Sequence, residues 1–243
     1  MPQSIIMQKL IKFPNELPVE TTPFNSGDNK QSFKTTLKSL GKTEYIDEEL
    51  SKFQVLHPIG DSFVGKGYLE DGSSYDLVAV STNESFNVAK SDNEFLYFWG
   101  SKKAIIEHGI KRLIDGTIGA GNNRYDSKTV TIDLRALKKE LEDGALASIK
   151  GGWWRELMIA DVEVAYLGGG TVTESENWND YEKTEGIISA LRLDVPNPIE
   201  KNKDILSVLL TKEGNLVVYK KVDEKELFEI AIPLFNIARK HLI

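Results

Sequence analysis

The chain has 243 residues, 40% of them hydrophobic and 28% charged, with a mean hydropathy of -0.30, the proportions of an ordinary globular protein. Lys and Arg number 30 against 37 Asp and Glu, a net charge of -7 that excludes a molecule-wide basic field, so strong nonspecific binding to duplex DNA is not expected. The absence of cysteine excludes disulfides, thiolate metal sites, iron–sulfur clusters and cysteine nucleophiles.

Met1 to Pro14 holds no apolar core of the length a secretory signal needs, and no apolar run reaches the length of a membrane span. A cytoplasmic protein without membrane attachment is expected. Ser4 to Phe13 reads as a strand; Pro14, Pro18 and Pro23 then punctuate a polar stretch ending near Ser32, a long surface crossover or a functional loop. From Phe33 to Lys52, Leu37, Leu40 and Leu50 are too sparse to fix a period, and the segment reads as weakly helical. Phe63 to Leu69 and Tyr75 to Ser81 form a hairpin around Asp71-Gly72, where glycine supplies the positive φ of the turn. The apolar run Glu94 to Trp99 leads to Ser101, a candidate N-cap. A helix follows whose Ile105, Ile106, Ile110, Leu113 and Ile114 make one stripe and whose left-handed stop is Gly116.

In the second half, Lys128 to Ile132 is a short β-branched strand. Asp133 caps a helix with Leu134, Leu137 and Leu141 on one face that stops at Gly144. Glu156 to Leu167 reads as the longest strand, with Met158, Ala160, Val162, Val164 and Tyr166 on one face. Gly186 to Val195 is the next strand. Asp204 to Thr211 and Asn215 to Val222 make a hairpin around Lys212-Glu213-Gly214, and a helix runs from Asp223 to about Leu242, kinked at Pro233. The fold class is therefore α+β, mainly antiparallel sheet with amphipathic helices packed on it and a C-terminal helix after a β-hairpin. Two regions, 1–144 and 145–243, are expected, either joined near Gly144 to Gly152 or continuous as one domain.

No motif assigns a reaction. His57, His108 and His241 share no metal-ligand spacing, and neither G-x-S-x-G nor GxxxxGK[ST] occurs. No metal and no cofactor is expected. The glycines at 116, 119 and 121 follow a helix and precede a strand, the reverse of a dinucleotide-binding turn, so they read as a helix stop and loop, with Arg124 nearby as an anion-binding candidate. Gly168-Gly169-Gly170-Thr171 does follow a strand, with a helix expected near Thr173, but the acidic residues from Glu174 to Glu185 would repel a phosphate.

Two features point to function. Asp161 and Glu163, two apart on the expected long strand, would share a face and could hold Mg²⁺ in a metal-dependent enzyme acting on phosphoester or nucleotide substrates; the simpler reading is a solvated face. Trp153 and Trp154 precede Arg155, and adjacent residues of a strand point to opposite sides, so one tryptophan enters the core while the other can anchor an interface. With Trp178 and Tyr181 in the acidic segment, they make the candidate partner-binding set. The function expected first is a cytoplasmic binding or regulatory protein working through a protein partner or self-association, and the metal-dependent enzyme is the alternative.

Overall fold

The computed structural model describes residues 3–25, 32–45, 48–92, 94–144, 146–159, 162–184, 186–198 and 205–243. Of the residues named above, Met1, Ala160, Asp161, Glu185 and Asp204 lie outside that set. The first half runs β1 (Gln3–Lys12), β2 (Val19–Glu20), β3 (Phe24–Asn25), β4 (Ser32–Phe33), β5 (Thr36–Tyr45), β6 (Glu48–Tyr68), β7 (Ser74–Ser91), β8 (Phe95–Trp99) and α1 (Lys103–Gly116). The second runs β9 (Asp126–Thr129), α2 (Leu134–Asp143), β10 (Ser148–Ile159), β11 (Val162–Gly168), α3 (Glu176–Lys183), β12 (Ile187–Pro196), β13 (Ile205–Thr211), β14 (Asn215–Val218) and α4 (Glu224–Ala238).

Twelve of these strands form one sheet in the order β11-β10-β12-β13-β14-β1-β8-β7-β6-β5-β2, with β9 added beside β1. Every pairing is antiparallel. β1 is the seam: Gln3 to Ile6 pair with β14 of the C-terminal half, and Ile5 to Lys9 pair with β8 on the other side. Gly151 and Gly152, at the end of the expected boundary segment, lie inside β10, paired to both β11 and β12.

Alternation along the central strands feeds two cores, one on each face of the sheet. Ile5, Met7, Tyr97 and Trp99 point to one face, where α4 packs over β1, β5 and β8 while α2 and α3 pack over β10 and its neighbours. Ile6, Leu96 and Phe98 point to the other, where Ile106, Ile110 and Leu113 of α1 cover them. Strands buried on both faces carry near-continuous apolar runs, which is why Phe95 to Trp99 has no polar residue.

Local chemistry fixes the connections. Asp71 closes the β6–β7 hairpin by accepting the Ser73 N–H at 2.9 Å, beside Gly72 at φ 82. The Asp133 carboxylate accepts the Arg135 and Ala136 amides at 3.0 and 3.1 Å, and Asp223 caps α4 through the Glu226 amide at 2.8 Å. Glu224, one residue on, accepts from Tyr45 Oη at 2.5 Å, Lys52 Nζ at 2.5 Å and Trp99 Nε1 at 3.2 Å. That carboxylate ties the start of α4 to three strands of the first half. Burial pushes its pKa up, but the hydrogen bonds from Lys52 and Tyr45 outweigh this and hold it below the usual range.

Several expectations are corrected. Phe33 to Lys52 is not helical: it forms β4, β5 and the start of β6, and its apolar residues are sparse because β5 lies near the sheet edge with only Leu37 buried along it. The single strand from Glu156 to Leu167 is two strands of a hairpin, with Ile159 paired to Val162. Val164 and Tyr166 therefore face solvent, at 61% and 44% exposure, instead of lining a core. Lys102, without a side-chain cap, replaces Ser101 as the N-cap of α1. Gly116 is no left-handed stop but the last helical residue, buried against Thr21 so closely that a Cβ would lie 2.4 Å from the Thr21 Cβ. The C-terminal α-helix, with Pro233 inside it, ends at Ala238, and a 3-10 turn over Arg239–His241 takes the place of its expected last residues.

Candidate functional site

The two adjacent tryptophans fall on opposite faces of β10. Trp154 is fully buried, its ring 5.4 Å from Trp178 and 5.9 Å from Tyr181 in edge-on contacts, with the Arg135 guanidinium over it at 5.5 Å. Trp178 is equally buried, and Tyr181 packs half-buried against the same core. Gly152 lets α3 approach, since a Cβ there would lie 2.6 Å from the Trp178 ring. Trp154, Trp178 and Tyr181 thus form the packing between α3 and the sheet. They present no docking surface in this structure, because the same apolar area that would anchor a partner is already spent inside the molecule.

Trp153 and Arg155 point the other way. Trp153 lies 4.2 Å, ring centroid to ring centroid, from Tyr166, its register partner on β11. Tyr166 crosses two glycines: a Cβ on Gly168 would lie 2.4 Å from its hydroxyl, and one on Gly151 would lie 2.7 Å from the same atom. The hydroxyl in turn hydrogen-bonds Arg192, which raises the guanidinium pKa, and Arg192 Nε donates to Ser207 Oγ at 3.1 Å. Tyr219, 48% exposed, lies beside Arg192. Leu209 and Val217, register partners whose chain neighbours enter the core, continue the same face. The buried residues of α1 belong to the core over β1, β8 and β7, and those of α2, α3 and α4 to the opposite side. Among the described residues, the β10–β14 half of this face carries no helix.

At the end of this face lies β11, which among the described residues is the terminal strand of the sheet, hydrogen-bonded on one side only, to β10. Its sequence, Val-Glu-Val-Ala-Tyr-Leu-Gly, has high β-propensity, no proline, and Glu163 as its single charge. The opposite end of the sheet is built differently. β5 carries Lys38, Lys42 and Glu44, a register shift between Ser39 and Gly41, and the short β2 over Thr36 and Leu37. Those are among the devices that blunt an edge against pairing; β11 shares one of them, a register shift against β10 between Arg155 and Ile159, but it carries a single charge and, among the described residues, no covering strand.

Glu163 is exposed on β11 and β10 ends at Ile159, while Asp161 lies outside the described residues. Among the described residues no group of three or more His, Cys, Asp or Glu is placed to hold a metal. Arg124 is paired with Asp126 at 2.5 Å, and the glycine loop after β11 is tied back by Lys150 Nζ to the Gly170 carbonyl at 3.3 Å. Among the described residues no helix is long and apolar enough to cross a membrane.

Two histidines that no motif joined do meet. His57 on β6 is fully buried, with Nε2 2.8 Å from Nδ1 of the exposed His108 on α1 and Nδ1 2.9 Å from Thr35 Oγ1. Burial, then the charges of His108 and Arg112, lowers the His57 pKa to about 4. His57 stays neutral in the fold but takes a proton in the unfolded chain near its ordinary 6.5, so its contribution is present above that pH and lost as pH falls towards 4. The urea midpoint should fall between about pH 6.5 and 4, and His57→Gln should flatten that dependence. An unchanged slope would remove His57 as its source.

Tyr166, Arg192 and Tyr219 escaped the sequence reading. Tyr166 was assigned to a core-facing series that the hairpin interrupts; the usable signal was Ala165 and Leu167 alternating with Val164 and Tyr166, closed by Gly168. No protein-family model matches the chain, and no curated protein matches it.

Proposed function

We propose that the chain is a cytoplasmic binding protein that acts through a protein interface on the uncovered half of its sheet, centred on Trp153, Arg155, Tyr166 and the edge of β11. The observation that carries this is the contrast between the two ends of the sheet: three charges and the covering β2 at β5, against a mostly apolar β11 with one charge, where Val164 and Tyr166 are exposed. Strand edges bind other chains through backbone hydrogen bonds while neighbouring side chains select the partner. Trp153 over Tyr166, flanked by Arg155 and Arg192, supplies the aromatic and guanidinium groups in which binding energy concentrates. The fully buried tryptophans play no part in it.

A photoreactive phenylalanine analogue placed at Val164 in the full-length chain, with one at Leu40 on the β5 edge as control, tests this in the producing cell. A discrete protein adduct from position 164, absent from position 40 and lost when Val162→Lys is added, is expected. The absence of any adduct at 164 would sink the proposal.

A further inference from the structure

We infer that the partner of the β11 edge is a second copy of this chain, paired antiparallel, β11 to β11, about a two-fold axis through Ala165. This rests on β11 being an interface strand and adds which chain fills it. A two-fold antiparallel pair is self-complementary, since each residue at a given distance before the centre faces the residue at the same distance after it. Ala165 is the middle of Val162–Gly168, so centring there is the register that uses the whole strand. It sets Ala165 against Ala165, Val164 against Tyr166, Glu163 against Leu167, and Val162 against Gly168.

Each of those pairings is chemically acceptable. Val164 and Tyr166, both exposed in the single chain, become a cross-strand aromatic and β-branched pair, formed twice, on the uncovered face. Ala165 is small, so two copies meet at the axis without a clash on the side where α3 packs. The two Glu163 carboxylates face leucines and are kept off one another, so the strand's one charge does not oppose its own copy. Charge decides against the other end of the sheet as the self-pairing edge: a two-fold pair of β5 strands would desolvate Lys38, Lys42 and Glu44 of each copy around a bulge. The pairing also aligns the two uncovered faces, Trp153 and Arg192 of each copy included, into one surface.

The sequence makes the test clean, because the chain has no cysteine. Residues facing each other across an antiparallel pair lie about 4.5–5.5 Å apart at Cα, within the span a disulfide bridges. Ala165→Cys should therefore oxidise to a covalent species of twice the 27.2 kDa chain mass, while Val164→Cys, whose two copies would sit on either side of the axis, should not. Sedimentation of the unmodified full chain over a dilution series should show a monomer–dimer equilibrium. Val164→Lys should raise its dissociation constant about tenfold or more, the effect of a lysine on an edge, and Leu40→Lys should leave it unchanged. Circular dichroism of Val164→Lys should match the parent, since Val164 is outside both cores. A monomer at every concentration, or a dimer indifferent to Val164→Lys, overturns the inference. Cross-linking at 164 in preference to 165 overturns the register. If the photoreactive group at 164 captures a different protein and never this chain, self-pairing fails while the interface reading stands; if it captures nothing, both fail.

Discussion

Trp178→Ala should destabilise the protein by about 3 to 5 kcal/mol, read as a lower urea midpoint with an unchanged slope. Trp178 is fully buried between α3 and β10, edge-on to Trp154, over a glycine that leaves no other filler for the space. Its Nε1 donates to Glu182 at 3.1 Å, and Lys138, on α2, pairs with the same carboxylate at 2.9 Å and lies over the Trp178 ring at 5.8 Å. Truncation opens a cavity and takes one donor from a carboxylate that burial pushes up and the Lys138 and Trp178 hydrogen bonds bring back down. α3 is only eight residues long and cannot hold itself as an isolated helix, so its docking depends on this ring. Trp153→Ala, on the other face and half-buried, should cost clearly less. Equal midpoints for the two variants would contradict the assignment of Trp178 to the core.

Cutting the chain after Val222 should abolish cooperative melting. α4 buries Leu227, Phe228, Ile230, Ile232, Leu234 and Phe235, and each large apolar side chain contributes about 1.5–3 kcal/mol by burial, together comparable with the whole stability of a domain. Phe228 stacks on Tyr45 at 4.6 Å and meets Trp99 edge-on at 4.8 Å, while Phe235 stacks on Tyr97 at 5.7 Å. The helix is thus the main cover of the first half's strands on that face, in addition to packing on the hairpin that precedes it. Leu234→Ala in the intact chain should cost about 2 to 5 kcal/mol. Lys240→Ala, which removes an exposed ion pair to Glu140, should cost under about 1 kcal/mol. A truncated chain that stayed in solution and melted in one cooperative step would make α4 an appendage.

What the sequence made legible follows from where a local signal and a buried face coincide. Asp133 before Leu134, Leu137 and Leu141 specifies α2, because a cap and a 3.6-residue stripe agree. Gly214 at φ 74 between Leu210 and Leu216 specifies the β13–β14 hairpin in the same way. β5 was illegible because one buried leucine among Lys38, Lys42 and Glu44 gives no period; its strand character comes from pairing with β6, a nonlocal cause. The break between β10 and β11 was illegible because no glycine or proline stands in the sequence between Ile159 and Val162, and missing it put Val164 and Tyr166 on one face with Met158. Of the candidate interface, strand alternation alone showed that one of Trp153 and Trp154 faces outward, and the structure identifies it as Trp153. Tyr166, Arg192 and Tyr219 needed the register.

The place of β1 at the seam bears on how the protein is made. Gln3 pairs with Val218 and Ile5 with Leu216, so one side of β1 waits until β14 has been synthesised. Its other side finds β8 much earlier, through Ile5 to Trp99. During translation the first half therefore holds a half-finished sheet that ends on an open, apolar β1, where Ile5 and Met7 have no cover from α4. Contacts so distant in sequence form slowly, and an open strand of this kind is what chaperones hold and what aggregation seeds from. Slowing elongation over the codons for β13 and β14 should lengthen that exposure and lower the soluble yield, with no change in the amino-acid sequence.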